Sequence, residues 1–227
     1  MKKYGKVYTY ENPKLGKLNM LVIGQLDQRN NLCTQQKNFF GALKLLEFED
    51  DYSKADHLSA NCLTIIKNMN TKDQLRKQIE YMRKVLENPY WNMSDENQYM
   101  AEVQFYNTNN PDIARLRSLS TNSNFQYKQG IKGSGNGLGL DAIQGATKEV
   151  TSQGYKYLQG NSTLGAIPFY NAIGIQTKRI ETETKDSWRR THGKFITPVT
   201  HPKLIAPNKF ELDPKFTDWA TEIVNDK

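Results

Sequence analysis

Apolar and polar positions in the N-terminal part of the chain follow a pattern that predicts β-strands. The segments KVYTY and KLNMLVIGQL combine β-branched, aromatic and aliphatic residues, and the turn-forming clusters ENPKLG and DQRNN follow them. A third apolar segment, NFFGALKLLEFED, fits a strand or a buried helix equally well by pattern. We therefore expect the first third of the chain to be mostly β.

A helix is predicted from about Lys72 to Glu87. Thr71 and Gln74 have the spacing of a capping box at its start. Its apolar residues recur at helical spacing and form one face, made of Leu75, Ile79, Met82 and Leu86. Asn88 and Pro89 end the helix, because proline cannot continue the hydrogen-bond ladder. We expect this face to pack into the core.

The densest glycine segment of the chain, KGSGNGLGLDAI, spans Lys132 to Ile143. It follows two further predicted strands, YMAEVQFYN (Tyr99 to Asn107) and IARLRSLST, and it leads into apolar residues at helical spacing that end at Gln153-Gly154. A glycine loop before a helix N-terminus presents free N–H groups and the positive end of the helix dipole to an anion. The segment therefore predicts a phosphate or pyrophosphate site.

Two other phosphate-binding loops fit this segment less well. A Walker A loop needs Lys and Ser or Thr after its last glycine, whereas Leu140 and Asp141 follow Gly139. The dinucleotide form GxGxxA fits Gly137, Gly139 and Ala142, but no strand directly precedes it and no acidic residue stands in an obvious ribose-binding place. A glycine-rich surface loop without a ligand is the remaining alternative.

The net positive charge of the chain indicates which classes of partner it could bind. The chain of 227 residues has 31 Lys plus Arg against 24 Asp plus Glu, a formal charge of +7, and a pI near 9.2. Nucleic acid, nucleotide phosphates or an acidic protein would suit this balance. A mildly basic protein with no such partner is the alternative.

Cysteines and histidines give no sign of a metal or disulfide site. Cys33 and Cys62 are far apart and form no CxxC pair, and His57, His192 and His201 lack the spacing of metal ligands. The opening segment has no apolar run of the kind a signal peptide carries, and the longest apolar stretch is far shorter than the ~20 residues of a membrane-spanning helix. We expect a cytoplasmic protein without a metal.

Two motifs together resemble those of the GCN5-related N-acetyltransferase (GNAT) family. The segment AIPFYNAIGI, Ala166 to Ile175, is similar to the family signature A-I-x-F-Y-x-x-x-G-F. Lys132, Gly135 and Gly137 occupy the first, fourth and sixth positions of the family's acyl-CoA loop, Q/R-x-x-G-x-G/A. The motifs stand in the family's order, and the resemblance covers roughly Leu116 to Glu181. Lys132 departs from Gln or Arg, and Ile175 departs from the final aromatic residue.

The resemblance implies an α/β protein with the acyl-CoA N-acyltransferase fold, a mixed twisted sheet flanked by helices. It implies a domain over residues 1–185 with a divergent N-terminal half, to about residue 95, and a C-terminal tail over residues 186–227 packed on the domain or on a partner subunit. The implied activity is direct transfer of an acetyl or other acyl group from acetyl-CoA to a primary amine.

The family's pattern also implies binding residues for acetyl-CoA. The backbone of the glycine loop would bind the pyrophosphate, and the strand before it, Ile113 to Thr121, would line the pantetheine arm. Asn161 would replace the asparagine that the family often carries at the position of Thr163. The implied set is Leu119, Ser120, Lys132, Gly133, Ser134, Gly135, Asn136, Gly137, Leu138, Gly139, Asn161 and Phe169.

Two residues are candidates for catalysis. Tyr170 matches the tyrosine that protonates the departing thiolate in the family, and a phenol of pKa near 10 can do so while staying neutral. Glu102, on a predicted central strand, is the candidate general base. A half-buried core tyrosine and a solvent-facing strand residue are the respective alternatives. Asp141, in the first turn after the loop, fits stabilisation of the helix dipole better than proton transfer.

Other functions remain open. The chain could be a non-catalytic acyl-CoA, nucleic-acid or partner-binding module on the same fold, or an acetyltransferase acting on the amine of charged tRNA, which the charge of +7 suggests. An NAD-binding domain comes last. The basic segment KDSWRRTHGKF around Trp188 could meet RNA or the 3′-phosphate of CoA, or could be a solvated surface. The amphipathic tail, with Phe216, Trp219, Ile223 and Val224 on one side, would dock on its own domain or in a homodimer.

Overall fold

The protein is an α/β structure built on one mixed sheet. The structure, a computed structural model, describes residues 3–25, 60–87, 99–107, 110, 112–125, 135–179 and 193–226. Within these ranges the sheet has nine strands: β1 (Lys3–Asn12), β2 (Gly16–Gln25), β3 (Ala60–Ile66), β4 (Ala101–Asn107), β5 (Ile113–Thr121), β6 (Tyr157–Ser162), β7 (Lys178–Arg179), β8 (Gly193–Pro198) and β9 (Glu211–Leu212). The helices are α1 (Lys72–Glu87), α2 (Leu138–Ser152), α3 (Ile167–Ala172) and α4 (Pro214–Asn225).

The strand order is β7-β8-β6-β5-β4-β3-β2-β1-β9. Every neighbouring pair is antiparallel except β5 and β6, which are parallel. A parallel pair requires a crossover connection, and α2 provides it after the glycine segment. The predicted class, a mixed sheet flanked by helices, is confirmed, and the elements follow one another in the order that the two motifs imply.

Helices cover both faces of the sheet. On one face Met20, Leu63 and Val103 pack with apolar residues of α2. Leu138, the first residue of α2 after Gly137, belongs to this side. On the other face Leu21 and Cys62 pack with apolar residues of α1 and α4. Because both faces are buried, β1 and β2 do not follow the strict inside–outside alternation of a sheet with one solvated face.

Helix α1 has the bounds that its sequence predicts. Thr71 Oγ1 accepts the Gln74 N–H at 3.2 Å, and Gln74 Oε1 accepts the Thr71 N–H at 3.1 Å, so the capping box forms. The structure corrects the start of the following strand, since β4 begins at Ala101 and not at Tyr99. The predicted segment NFFGALKLLEFED lies outside the described residues.

The C-terminal helix α4 packs against β1 and α1. Asp213 caps it by accepting the Phe216 N–H at 3.1 Å, and Arg83 of α1 donates to the Ile223 carbonyl at 2.7 Å. Helix α2 is fixed to β1 on the opposite face, where buried Glu149 accepts hydrogen bonds from Tyr8 and, at 2.8 Å, from Lys6. None of the helices in the described ranges is long and apolar enough to cross a membrane.

Candidate functional site

Strands β5 and β6 diverge toward their carboxyl ends. They pair in parallel only from Ile113 opposite Tyr157 to Leu116 opposite Gly160, although β5 continues to Thr121. On its other side, the register of β5 with β4 shifts at the same level and skips Arg117. Such a bulge bends a strand and changes its twist. The end of β5, including Leu119 and Ser120, is therefore directed away from β6.

The glycine segment lies at the same edge of the sheet as the end of β5, because Asn12 at the end of β1 contacts it and the strand registers place the ends of β1 and β5 at one edge. Gly137 is the N-cap of α2, its φ is 78°, and no side chain in the described part of the chain caps the helix there. The left-handed φ favours glycine at this position. The first-turn N–H groups of α2 therefore donate no hydrogen bond to an N-cap side chain and can face an anion. Lys132, Gly133 and Ser134 lie outside the described residues.

The turn between β1 and β2 holds the glycine segment in place. Asn12, at the end of β1, is buried and donates through Nδ2 to the Asn136 carbonyl at 2.9 Å and to Asp141 Oδ2 at 2.8 Å. Its Oδ1 accepts the backbone N–H groups of Lys14 and Leu15, which fixes the turn. The Lys14 ammonium donates to the Gly135 carbonyl. One short turn thus positions both the loop and the first turn of α2.

Asp141 completes this arrangement from the helix side. It is buried, and it pairs with the Lys209 ammonium, which also donates to Gln144 Oε1 at 2.9 Å. Sequence reasoning anticipated a helix-terminal role for Asp141 but missed Asn12, Lys14 and Lys209. The turn cluster ENPKLG predicts the turn itself, yet nothing in the sequence indicates that Asn12 meets a residue 124 positions away.

Tyr170 and Phe169 of α3 lie beside the point where β5 and β6 diverge. A Cβ on Gly139 would be 3.2 Å from the Phe169 ring, so the glycine lets α3 approach the start of α2. The buried Tyr170 ring packs on Phe195 at a centroid distance of 4.6 Å. The Phe195 ring in turn fills the space where Gly160, the last residue of β6 paired with β5, would carry a side chain. Burial raises the pKa of Tyr170, so the phenol stays protonated.

Glu102 lies on β4 and faces α1, on the side of the sheet away from α2. Its carboxylate is fully buried, and it accepts hydrogen bonds from the Tyr81 hydroxyl at 2.9 Å and from Gln104 Nε2 at 2.8 Å. Burial raises the pKa of Glu102, while the two hydrogen bonds oppose that shift. In the β4–β5 register Glu102 stands opposite Ser120.

The structure thus brings together most of the predicted binding residues that it describes. Gly135, Asn136, Gly137, Leu138, Gly139 and Phe169 meet at the start of α2, and Asn161 is the residue of β6 that directly follows the last pair with β5. Tyr170 belongs to this side as well. Glu102 does not, because β4 directs it to the opposite face.

No metal site is found among the described residues. They contain no group of three or more His, Cys, Asp or Glu that could hold an ion. Cys62 is buried in the core, and its burial, with Glu102 nearby, raises the thiol pKa. Cys33, His57, His192 and the basic segment around Trp188 fall outside the described ranges.

Comparison with known proteins gives structural similarity only. No family model matches the chain, and no curated protein matches it. A protein of Desulfovibrio desulfuricans described as a GNAT-family acetyltransferase is 10% identical, with 80% of this chain and 99% of that chain covered and a TM-score of 0.43.

Two further solved structures are similar at comparable levels. For the ribosomal-protein-S18-alanine N-acetyltransferase of Escherichia coli the identity is 14%, the coverage is 65% of this chain and 72% of that chain, and the TM-score is 0.37. The catalytic domain of Tetrahymena GCN5 histone acetyltransferase, in complex with coenzyme A, is 12% identical, with 63% of this chain and 68% of that chain covered and a TM-score of 0.35. At these identities and TM-scores the similarity selects neither residues nor substrate for this chain.

Proposed function

We propose that this protein binds an acyl-CoA in the space between β5 and β6 and transfers its acyl group to a primary amine. The observation that carries the proposal is the divergence of the two parallel strands beside an uncapped, glycine-led helix N-terminus. A diverging strand can offer its backbone to the pantetheine arm, and the helix N-terminus can accept the pyrophosphate.

The residues around this space suit such a ligand. Gly137 keeps the N-cap free of a side chain, and Gly139 lets Phe169 come close without a clash. Leu119 and Ser120 lie on the part of β5 beyond its last pair with β6, and Asn161 lies at the same level of β6. Lys132, Gly133 and Ser134 would complete the loop around the pyrophosphate. The Lys14 ammonium, close to Gly135, adds positive charge on the side of the phosphates.

The proposed reaction is a direct transfer. The amine nitrogen attacks the thioester carbonyl, a C–N bond forms, the C–S bond breaks, and the amine loses one proton. Tyr170 would give its phenolic proton to the departing thiolate, since it packs on Phe195, whose ring contacts Gly160 next to the strand divergence. Because burial raises the phenol pKa and makes it a weaker acid, this transfer requires the thiolate to form directly beside the hydroxyl. Glu102, which faces α1, would take up the proton of an amine that approaches from that side of the sheet, and its raised pKa makes the carboxylate a stronger base than that of an exposed glutamate.

Ligand binding can be tested by thermal shift with acetyl-CoA and, separately, with NAD. We expect acetyl-CoA to raise the Tm and NAD to leave it unchanged, because only a ligand that binds the folded state stabilises it. A Tm that rises with NAD alone would contradict the proposal. If the protein binds acetyl-CoA but no amine causes release of free thiol, the protein is an acyl-CoA-binding module. Glu102 is then only a buried structural carboxylate.

The role of Tyr170 can be tested with Tyr170→Phe, which keeps the ring packing and removes the acid. We expect thiol release to fall by roughly 10²-fold with the Kd for acetyl-CoA unchanged. Tyr157→Phe is the matched control, since Tyr157 lies on β6 at the end away from the divergence. Equal turnover in wild type and Tyr170→Phe would remove Tyr170 from the reaction.

A further inference from the structure

A cavity of about 500 Å³ opens under the first turns of α1. Its walls come from α1, the end of β3 at Ile66, the segment before β4 at Met100, and the residues after β5 at Asn122 and Phe125. The registers place these strand ends at one edge of the sheet, since Ile65 stands opposite Ala101 and Ala101 opposite Thr121. The glycine loop follows β5 at this same edge.

The cavity lies at the edge of the sheet, between its two faces. Met69 and Tyr99 of its lining belong to the apolar cluster on the α1 side, whereas Leu15, Met100 and Phe125 belong to the cluster on the α2 side, where the glycine loop leads into α2. The β1–β2 turn links the cavity and the loop, because Leu15 lines the cavity while its neighbour Lys14 contacts Gly135. An acceptor in the cavity would therefore lie at the same sheet edge as the loop, and its amine would extend along β5 toward a thioester beside Tyr170.

Polar side chains lie between the cavity wall and the candidate base. Gln78, which lines the cavity, donates to Thr64 Oγ1 at 3.0 Å. Thr64 stands opposite Glu102 in the β3–β4 register, and Glu102 stands opposite Ser120 in the β4–β5 register. These side chains share one face of the sheet under α1. The Thr64 hydroxyl itself donates to Met82 Sδ at 3.4 Å, and Glu102 accepts from Tyr81 and Gln104, so Gln78 and Thr64 place polar groups near Glu102 without a hydrogen bond to it in the described residues.

The lining of the cavity has a definite chemical character. Its described residues include two exposed lysines, Lys67 and Lys77, together with several amides and the apolar side chains of Tyr99, Met100 and Phe125. They include no Asp or Glu. A polyamine or a lysine-rich peptide would find no carboxylate among these residues, whereas an anionic group would meet two cations.

We propose that this cavity binds the amine acceptor, and that the acceptor carries a carboxylate or phosphate near its amine, held by Lys67 and Lys77. The proposal rests on the proposed acyl transfer, and it names the class of the second substrate. The apolar side chains would bury the body of the acceptor, and the amides would bind its neutral polar groups.

Matched pairs of amines test this class of acceptor. Amino acids are compared with their decarboxylated amines, phosphoethanolamine with ethanolamine, and spermidine is added as a polycation. Thiol release from acetyl-CoA is followed by kcat/KM at low ionic strength, and acetyl-CoA binding is measured separately by thermal shift. In the pair with the highest turnover, we expect kcat/KM for the anionic amine to be about tenfold higher than kcat/KM for its neutral partner. This ratio should fall as salt is added, because salt screens the lysine charges.

Lys77→Glu should lower that ratio by about tenfold or more, because it places a like charge beside the anion. Lys84→Glu is the matched control: it is two turns further along α1, also exposed, outside the cavity lining, and changes the net charge equally. Preference for spermidine or neutral amines, turnover of no anionic amine by a protein that binds acetyl-CoA, or an equal ratio in both variants would overturn the inference. A protein that binds no acetyl-CoA would instead overturn the proposed function.

Discussion

Asn12 offers the sharpest test of how the glycine loop is positioned, because its side chain joins the β1–β2 turn to the loop. It is 1% exposed and makes hydrogen bonds to the Asn136 carbonyl, the Asp141 carboxylate and the N–H groups of Lys14 and Leu15. Asn12→Ala removes all of them. Each neutral hydrogen bond contributes about 0.5–1.5 kcal/mol, and the bond to the carboxylate contributes somewhat more. Because water replaces part of these bonds at the exposed turn, the free energy of unfolding should fall by about 3 kcal/mol.

This loss has two measurable consequences. In a chain of this size it corresponds to a fall in Tm of roughly 6–12 °C, which urea unfolding can confirm as a change in free energy. The Kd for CoA should rise by about tenfold, since the loop must then be ordered at the cost of binding energy. Asn12→Asp keeps the acceptor for the turn but sets a second carboxylate beside Asp141, so its stability should recover as pH falls and one of the two carboxylates becomes protonated.

Asn61→Ala is the matched control for the loss of a buried asparagine. Asn61 is buried on β3 and accepts the Tyr4 hydroxyl at 3.1 Å, at the end of the strand away from the loop. It should destabilise the protein without changing the Kd for CoA. If Asn12→Ala loses stability and still binds CoA like wild type, the β1–β2 turn does not position the anion site, and the reasoning is refuted.

Three further predictions concern glycine packing and a buried charge. Gly137→Ala should cost about 1–2 kcal/mol of unfolding free energy, because φ is 78° while no atom lies closer to the new Cβ than 4.0 Å; an unchanged urea midpoint would contradict this. Gly145→Ala would place Cβ 2.2 Å from Met20 Sδ and should destabilise by about 1–3 kcal/mol, with recovery when Met20→Ala is added; a stabilised single variant would be inconsistent with this packing. Glu102→Gln should gain stability relative to wild type as pH rises. The raised pKa of Glu102 means that the folded state keeps this proton to higher pH than the unfolded state, so ionisation destabilises wild type but not the variant. Tm curves of the two proteins that stay parallel from pH 4 to pH 8 would contradict this prediction.

Much of the local structure is readable from the sequence. The bounds of α1 follow from its apolar spacing, its capping box and the proline after it. Helix α2 ends at Ser152, with Gln153 as its C-cap before Gly154 with φ 88°, where the sequence has its stop signal. Pro168 is compatible with α3 because it stands in the first turn. These features depend on residues within about one or two helical turns of each other, so apolar periodicity and capping residues are enough to predict them.

The glycine segment and the short helix with Phe169 and Tyr170 are likewise recognisable in the sequence. Their spacing predicts Gly137 at the start of a helix and Tyr170 on a short helix after the next strand, and both are found there. The face of the sheet to which Glu102 points is not recognisable in the same way, because a strand covered on both sides has no polar face to mark its orientation.

The sequence by itself predicted the helices α1 and α2, the strands β1, β2, β4, β5 and β6 in their order, and the glycine loop, since each of these is encoded by near neighbours; it did not predict β3, β8 or β9. Only the tertiary structure decided that Asn12 meets Asn136, that β5 separates from β6 after Leu116, and that α1 borders a cavity with two exposed lysines at the sheet edge. These features join residues up to 124 positions apart. Such contacts are set by strand register and by helices packing on both faces, and no local pattern in the chain records which distant residue will be the partner.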